Sequence, residues 1–151
     1  MPVLFLAALS LLFASILPVQ AAKPQTWPWT SKMPPDPALV VLPTVEDISV
    51  SIEGKLLKIS VKATAPQAGF SEFALAPRIG DPKDRIFAFD ARGRAPQKGA
   101  DVTTPVSFDV TYSGAPIGSF DVVEVFGKDN CIAYSVKESK TAECTSKSIS
   151  Q

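Results

Sequence analysis

The side chains able to do chemistry here are few, and one class is missing: none of the 151 residues is histidine. That removes Ser-His-Asp and Cys-His nucleophilic designs, every His-ligated zinc site and any histidine pH switch. Acid–base work then falls to carboxylates. A glycoside hydrolase needs two of them about 5 to 10 Å apart across a cleft. Asp90, Asp121 and Glu124 are the strand carboxylates whose placement suits such a pair. A small domain with short loops offers little cleft, so a carboxylate-dependent hydrolase ranks third, behind two non-catalytic readings.

Between Arg78 and Lys98 stand Arg78, Lys83, Arg85, Arg92, Arg94 and Lys98, against the acids Asp81, Asp84 and Asp90. Arg92-Gly93-Arg94 falls in the stretch Asp90 to Thr103, read as a long polar loop. Two neighbouring guanidinium groups there suit a phosphate, a sulfate or an acidic glycan, and otherwise serve solubility. Trp27 and Trp29, the only tryptophans, flank Pro28. Their rings either lie on the domain body and tie the segment down, or form a hook for a sugar face or a partner's groove. Asp81, Asp84, Asp101, Asp129 and Asn130 are oxygen ligands of the calcium type, but no EF-hand loop or repeated Asp spacing organises them. The expectation is no metal and no cofactor. Fifteen Lys+Arg balance fifteen Asp+Glu, which argues against nucleic acid as a partner.

Two cysteines remain, Cys131 and Cys144. An even cysteine count in an exported chain points to a bridge, here one that pins a polar C-terminal tail to the preceding hairpin. Export itself is read from the other end. Val3 to Leu17 is a continuous apolar run, and Val19 and Ala21 place small residues where a signal peptidase needs them. The run is short for a membrane span, which wants ~20 residues. The predicted organisation is a signal peptide over 1–21, a Pro-rich extended arm over 22–44, a β domain over 45–137 and a tail over 138–151. After cleavage the mature chain is secreted or periplasmic, with no membrane span.

From Val45 onward, apolar residues recur with period two, the signature of half-buried strands. Ile48, Val50 and Ile52 alternate with polar residues, as do Leu57, Ile59, Val61 and Ala63. A turn closed at Glu53-Gly54 would set Val50 opposite Leu57 and Ile48 opposite Ile59. Further strands are predicted near 70–76, 85–91, 106–112, 120–126 and 131–137. The last two form a hairpin with Val125 facing Ile132 and Val123 facing Tyr134. About seven antiparallel strands with turn signals between them make an immunoglobulin- or fibronectin III-like Greek-key sandwich, with a small closed barrel as the alternative.

The stretch Ile59-Ser-Val-Lys-Ala-Thr-Ala-Pro66-Gln-Ala-Gly69-Phe70, an aromatic strand, then Thr104-Pro105 before another strand, resembles a group of small secreted bacterial proteins of unknown activity. The resemblance implies a secreted sandwich and brings no activity with it. The function expected is a non-catalytic module for a protein partner or an envelope component. The alternative is a module for a glycan or small acidic ligand, with Trp27, Trp29, Arg92 and Arg94 as its binding residues.

Overall fold

The computed structural model describes residues 23–31, 34–78 and 85–144. The predicted signal peptide and the end of the tail, 145–151, lie outside the described residues, as do Asp81 and Asp84. Among those described, the chain forms β1 (Gln25–Thr26), a helical turn α1 (Pro28–Ser31), β2 (Val40–Val41), β3 (Thr44–Glu53), β4 (Leu56–Ala65), β5 (Ser71–Pro77), β6 (Ile86–Arg94), β7 (Thr104–Ser113), β8 (Val122–Phe126), β9 (Cys131–Ser135) and β10 (Lys140–Ala142).

Two sheets pack face to face. One has the order β1-β7-β4-β3, the other β10-β9-β8-β6-β2, with β5 along the remaining edge of β6. The sheets stay open at their edges, so the architecture is a β-sandwich and not the alternative barrel. Both sheets are mixed rather than wholly antiparallel: β6 runs parallel to β8, and β1 parallel to β7. The first of these follows from connectivity. The chain ascends β6, returns through β7 in the opposite sheet and ascends again in β8, which leaves β6 and β8 side by side in the same direction.

The β3–β4 hairpin keeps the predicted faces but not the predicted register. Val50 pairs with Ile59 and Ile48 with Val61, two residues from the expected pairing, around a Gly54-Lys55 turn. Gly54 takes a positive φ of 60°. A two-residue hairpin loop needs that left-handed conformation at its first position, which glycine accepts and glutamate resists. A shift of two preserves the alternation, so Ile48, Leu57, Ile59 and Val61 are all buried. The β8–β9 register is as expected, with Val125 opposite Ile132 and Val123 opposite Tyr134.

Residues 22–44 were expected as a Pro-rich extended arm whose tryptophans either lie on the domain body or form a hook. Over their described part these residues are woven into the sandwich. β1 adds to the edge of β7, and Trp27 N–H donates to the Ser113 carbonyl at 2.9 Å. The Trp27 ring then enters the core, 2% exposed, with centroids 4.9 Å from Phe87, 5.3 Å from Tyr112 and 5.9 Å from Phe89. Leu42, also buried, donates its N–H to the Ala91 carbonyl. The 127–130 turn clasps the segment that follows. Asn130 both accepts from and donates to the Val45 backbone, at 2.9 and 2.6 Å.

Candidate functional site

β6 positions the arginines. It continues to Arg94, so Arg92 and Arg94 stand on a strand and not in the expected loop. The strand is concealed in the sequence because its inward position 93 is glycine. A Cβ there would lie 3.0 Å from the Phe73 ring and 3.1 Å from that of Phe70. The neighbouring strand's aromatics fill the space that an apolar side chain would otherwise mark. Asp90, Arg92 and Arg94 therefore alternate with buried Phe89 and Ala91 and share the opposite face.

The two arginines are not a paired clamp. Arg94 is spent on two carboxylates, with Nε 2.6 Å from Glu72 Oε2 and Nη2 3.3 Å from Asp36 Oδ2. The Glu72 hydrogen bond is the main reason that its pKa is raised. Arg92 donates from Nη1 to the Leu39 carbonyl at 3.2 Å, and its Nη2 lies 3.7 Å from Asp90 Oδ2. Asp90 is held more closely by Arg78, at 2.9 Å, whose guanidinium also lies 3.5 Å above the Phe126 ring centre. Arg92 Nε is buried and has no hydrogen-bond partner among the described residues.

Arg92 lines a cavity of about 450 Å³. It forms where the edge of one sheet, β1, comes near the edge of the other, β5. Gln25, Thr26 and Pro28 supply one side, and Ala74 to Pro77 the other. Pro34, Pro35, Asp36 and Leu39 complete the wall, and Tyr112 reaches it from β7. The lining is mostly apolar, in the size range of small-molecule sites. Tyr112 is 1% exposed, and its hydroxyl also has no hydrogen-bond partner among the described residues. Burial pushes its pKa well above the usual tyrosine range. A second hollow, between Glu46, Asp47 and Glu143, is edged by carboxylates and holds neither arginine.

The other predicted residues are dispersed. Trp27 is enclosed by the core, so it presents no free face to a sugar; Trp29 is half-buried at 5.2 Å from it. Asp121 pairs with Arg85 at 2.9 Å, and that hydrogen bond holds its carboxyl below the ordinary range. Glu124 is fully buried in β8. None of Asp90, Asp121 and Glu124 lines either cavity. Asp101 accepts from Gln67 and Asn130 is committed to Val45, and among the described residues neither Asp101 nor Asp129 belongs to a group of three metal-capable side chains. Cys131 and Cys144 are bridged, with Cα atoms 6.1 Å apart. With Glu124 they are the one group of three metal-capable side chains among the described residues, and the two sulfurs are bonded to each other.

Sequence reasoning found Arg92 but missed Tyr112, Leu39 and the β5 residues around it. Tyr112 sits at an alternating apolar position and reads as core, which it also is. No family model matches this chain, and no curated protein or solved structure is similar to it.

Proposed function

We propose that this chain is an exported, non-catalytic binding module with an immunoglobulin-like sandwich, and that it takes a small ligand in the cavity between its N-terminal segment and β5. The observation that carries this reading is the cavity itself, about 450 Å³ and largely apolar, with Arg92 and Tyr112 among its lining residues. Export is supported by the apolar run Val3–Leu17 and by the bridge, which belongs to an oxidising compartment. Among the described residues no helix is long and apolar enough to cross a membrane. The absence of histidine and the engagement of Asp90 and Asp121 in ion pairs speak for binding rather than hydrolysis.

A protein partner is the second reading, and one feature favours it. β1 covers only Tyr112 and Ser113 of β7, so among the described residues the edge from Thr104 to Thr111 lacks a strand neighbour. Such an edge accepts an added strand. The large exposed apolar side chains offer less, since Val40 and Val102 lie at one end of the sandwich and Ile52 and Ile117 at the other. A thermal-shift screen of the mature protein against small apolar alcohols, amides and acids separates the two. A ligand at a hundredfold excess over its Kd stabilises by ~2.7 kcal/mol, so a cavity binder gives a dose-dependent rise. A flat screen, with capture of a partner through β7, would overturn the small-ligand reading.

A further inference from the structure

The charges around the cavity are unevenly matched. Asp90 is shared by two guanidinium groups, Arg78 at 2.9 Å and Arg92 at 3.7 Å, so this group holds one positive charge more than negative. The longer contact leaves that excess on Arg92. The opposite excess, two carboxylates on Arg94, sits on Asp36 and Glu72, whose side chains are 48% and 61% exposed and so screened by water. The Arg92 side chain is 22% exposed with Nε buried. The dehydrated end is therefore the cationic one.

Asp36 also lines the cavity, but its Oδ1 accepts from the Ala38 N–H and its Oδ2 faces Arg94. It does not neutralise Arg92. Arg92 is thus the cationic group that the cavity's lining offers, with Nη1 on the Leu39 carbonyl and Nη2 3.7 Å from Asp90. Apart from Gln25 and Thr26, the rest of the lining is apolar, much of it proline, leucine and alanine from Pro34, Pro35, Leu39 and β5.

We propose that the cavity's ligand is a compact apolar carboxylate, its acid group held by Arg92 and its hydrocarbon body lying against Leu39, Leu75 and the prolines. This rests on the small-ligand reading above and adds the chemistry of the head group. A guanidinium binds a carboxylate by short, charge-assisted hydrogen bonds that a neutral amide of the same shape cannot reproduce.

The test is calorimetric titration of the full mature protein with 4-phenylbutyrate, with the isosteric 4-phenylbutanamide and with inorganic phosphate. The wild type is compared with Arg92→Gln and with Ala74→Phe, which fills the cavity from β5. The expected result is a preference of about tenfold or more for the acid over the amide, the scale of one charge-assisted hydrogen bond. That preference disappears in R92Q, both compounds are lost in A74F, and phosphate alone does not bind. Equal binding of acid and amide to the wild type overturns the carboxylate proposal and leaves the small-ligand site standing. Phosphate binding as tightly as the acid overturns the requirement for an apolar body. Failure of both organic probes, together with a flat thermal-shift screen, overturns both readings. The acid–amide comparison on the wild type needs no variant, so a folding defect in R92Q cannot rescue the proposal.

Discussion

Trp27 lies in a segment whose composition reads as a peripheral arm, yet its ring is at the centre of the core, so Trp27→Ala distinguishes the two descriptions sharply. The ring is 2% exposed and touches Phe87, Phe89, Tyr112, Phe120 and Trp29 at centroid distances of 4.9 to 6.2 Å. A buried tryptophan removes up to ~250 Å² from water. At ~25 cal/mol per Å² this is a gross ~6 kcal/mol. Residual compactness of the unfolded chain lowers such area-based figures by about 10–40%, which leaves about 4–5 kcal/mol. Truncations of buried aromatics to alanine cost about 3–5 kcal/mol, so the two routes agree. That is a large share of the ~5–15 kcal/mol by which domains are stable. The assay is urea unfolding followed by far-UV circular dichroism, with Trp29→Ala, a half-buried ring, as the internal control. W27A should lose about 3–5 kcal/mol and W29A clearly less. A loss below ~1 kcal/mol for W27A would mean that the segment lies on the surface of a sandwich complete without it.

Four further outcomes follow. Gly127→Ala should cost about 1–3 kcal/mol in urea midpoint analysis, because its Cβ would meet the Pro43 carbonyl oxygen at 2.8 Å and the Thr44 Cα at 3.1 Å; no loss would mean that the 127–130 turn does not clasp the sheets. Reducing the Cys131–Cys144 bridge, which spans a sequence separation of 13, should cost ~3 kcal/mol or less and leave the β-sheet dichroism intact, while two free thiols in unreduced native protein would contradict the bridge. Tyr112→Phe should be neutral or slightly stabilising, because it removes a hydroxyl buried without a partner among the described residues; a loss above ~1 kcal/mol would show that the hydroxyl is bonded after all. The pKa of Tyr112 is raised in the fold, so its contribution is complete below the unfolded value near ~10 and is lost as pH rises above it. Alkaline unfolding should then accompany ionisation of Tyr112 at 295 nm, and reversible titration of both tyrosines in folded protein would refute this.

Much of the sandwich was legible because burial on one face writes itself into alternation. Val45, Ile48, Leu57, Ile59, Val61, Val123 and Val125 carry that pattern and are all buried. What alternation does not encode is a shift by two, since every face is preserved; the β3–β4 register was decided by the φ of Gly54. The end of β6, residues 92–94, was hidden because Gly93 leaves its inward space to Phe70 and Phe73. For the N-terminal segment, proline density signalled extension and left open whether the tryptophan rings lie on the domain body or form a hook; Trp27 lies in the core. The cavity was the least legible feature. It gathers residues 25–39, 74–77, Arg92 and Tyr112, and their proximity depends on which strands form the sheet edges. Arg92 and Arg94 look alike in the sequence; only tertiary contacts pair one with Glu72 and Asp36 and leave the other with an unmatched donor.

Ligand binding in the cavity between the N-terminal segment and β5, as proposed above, has a direct readout residue by residue. Backbone amide chemical-shift mapping during titration with 4-phenylbutyrate tests it directly. Shifts are expected in Leu39, Ala74, Leu75, Ala76, Arg92 and Tyr112, all saturating with one dissociation constant. Shifts confined to the acidic hollow of Glu46, Asp47 and Glu143, or to the β7 edge from Val106 to Thr111, would contradict it.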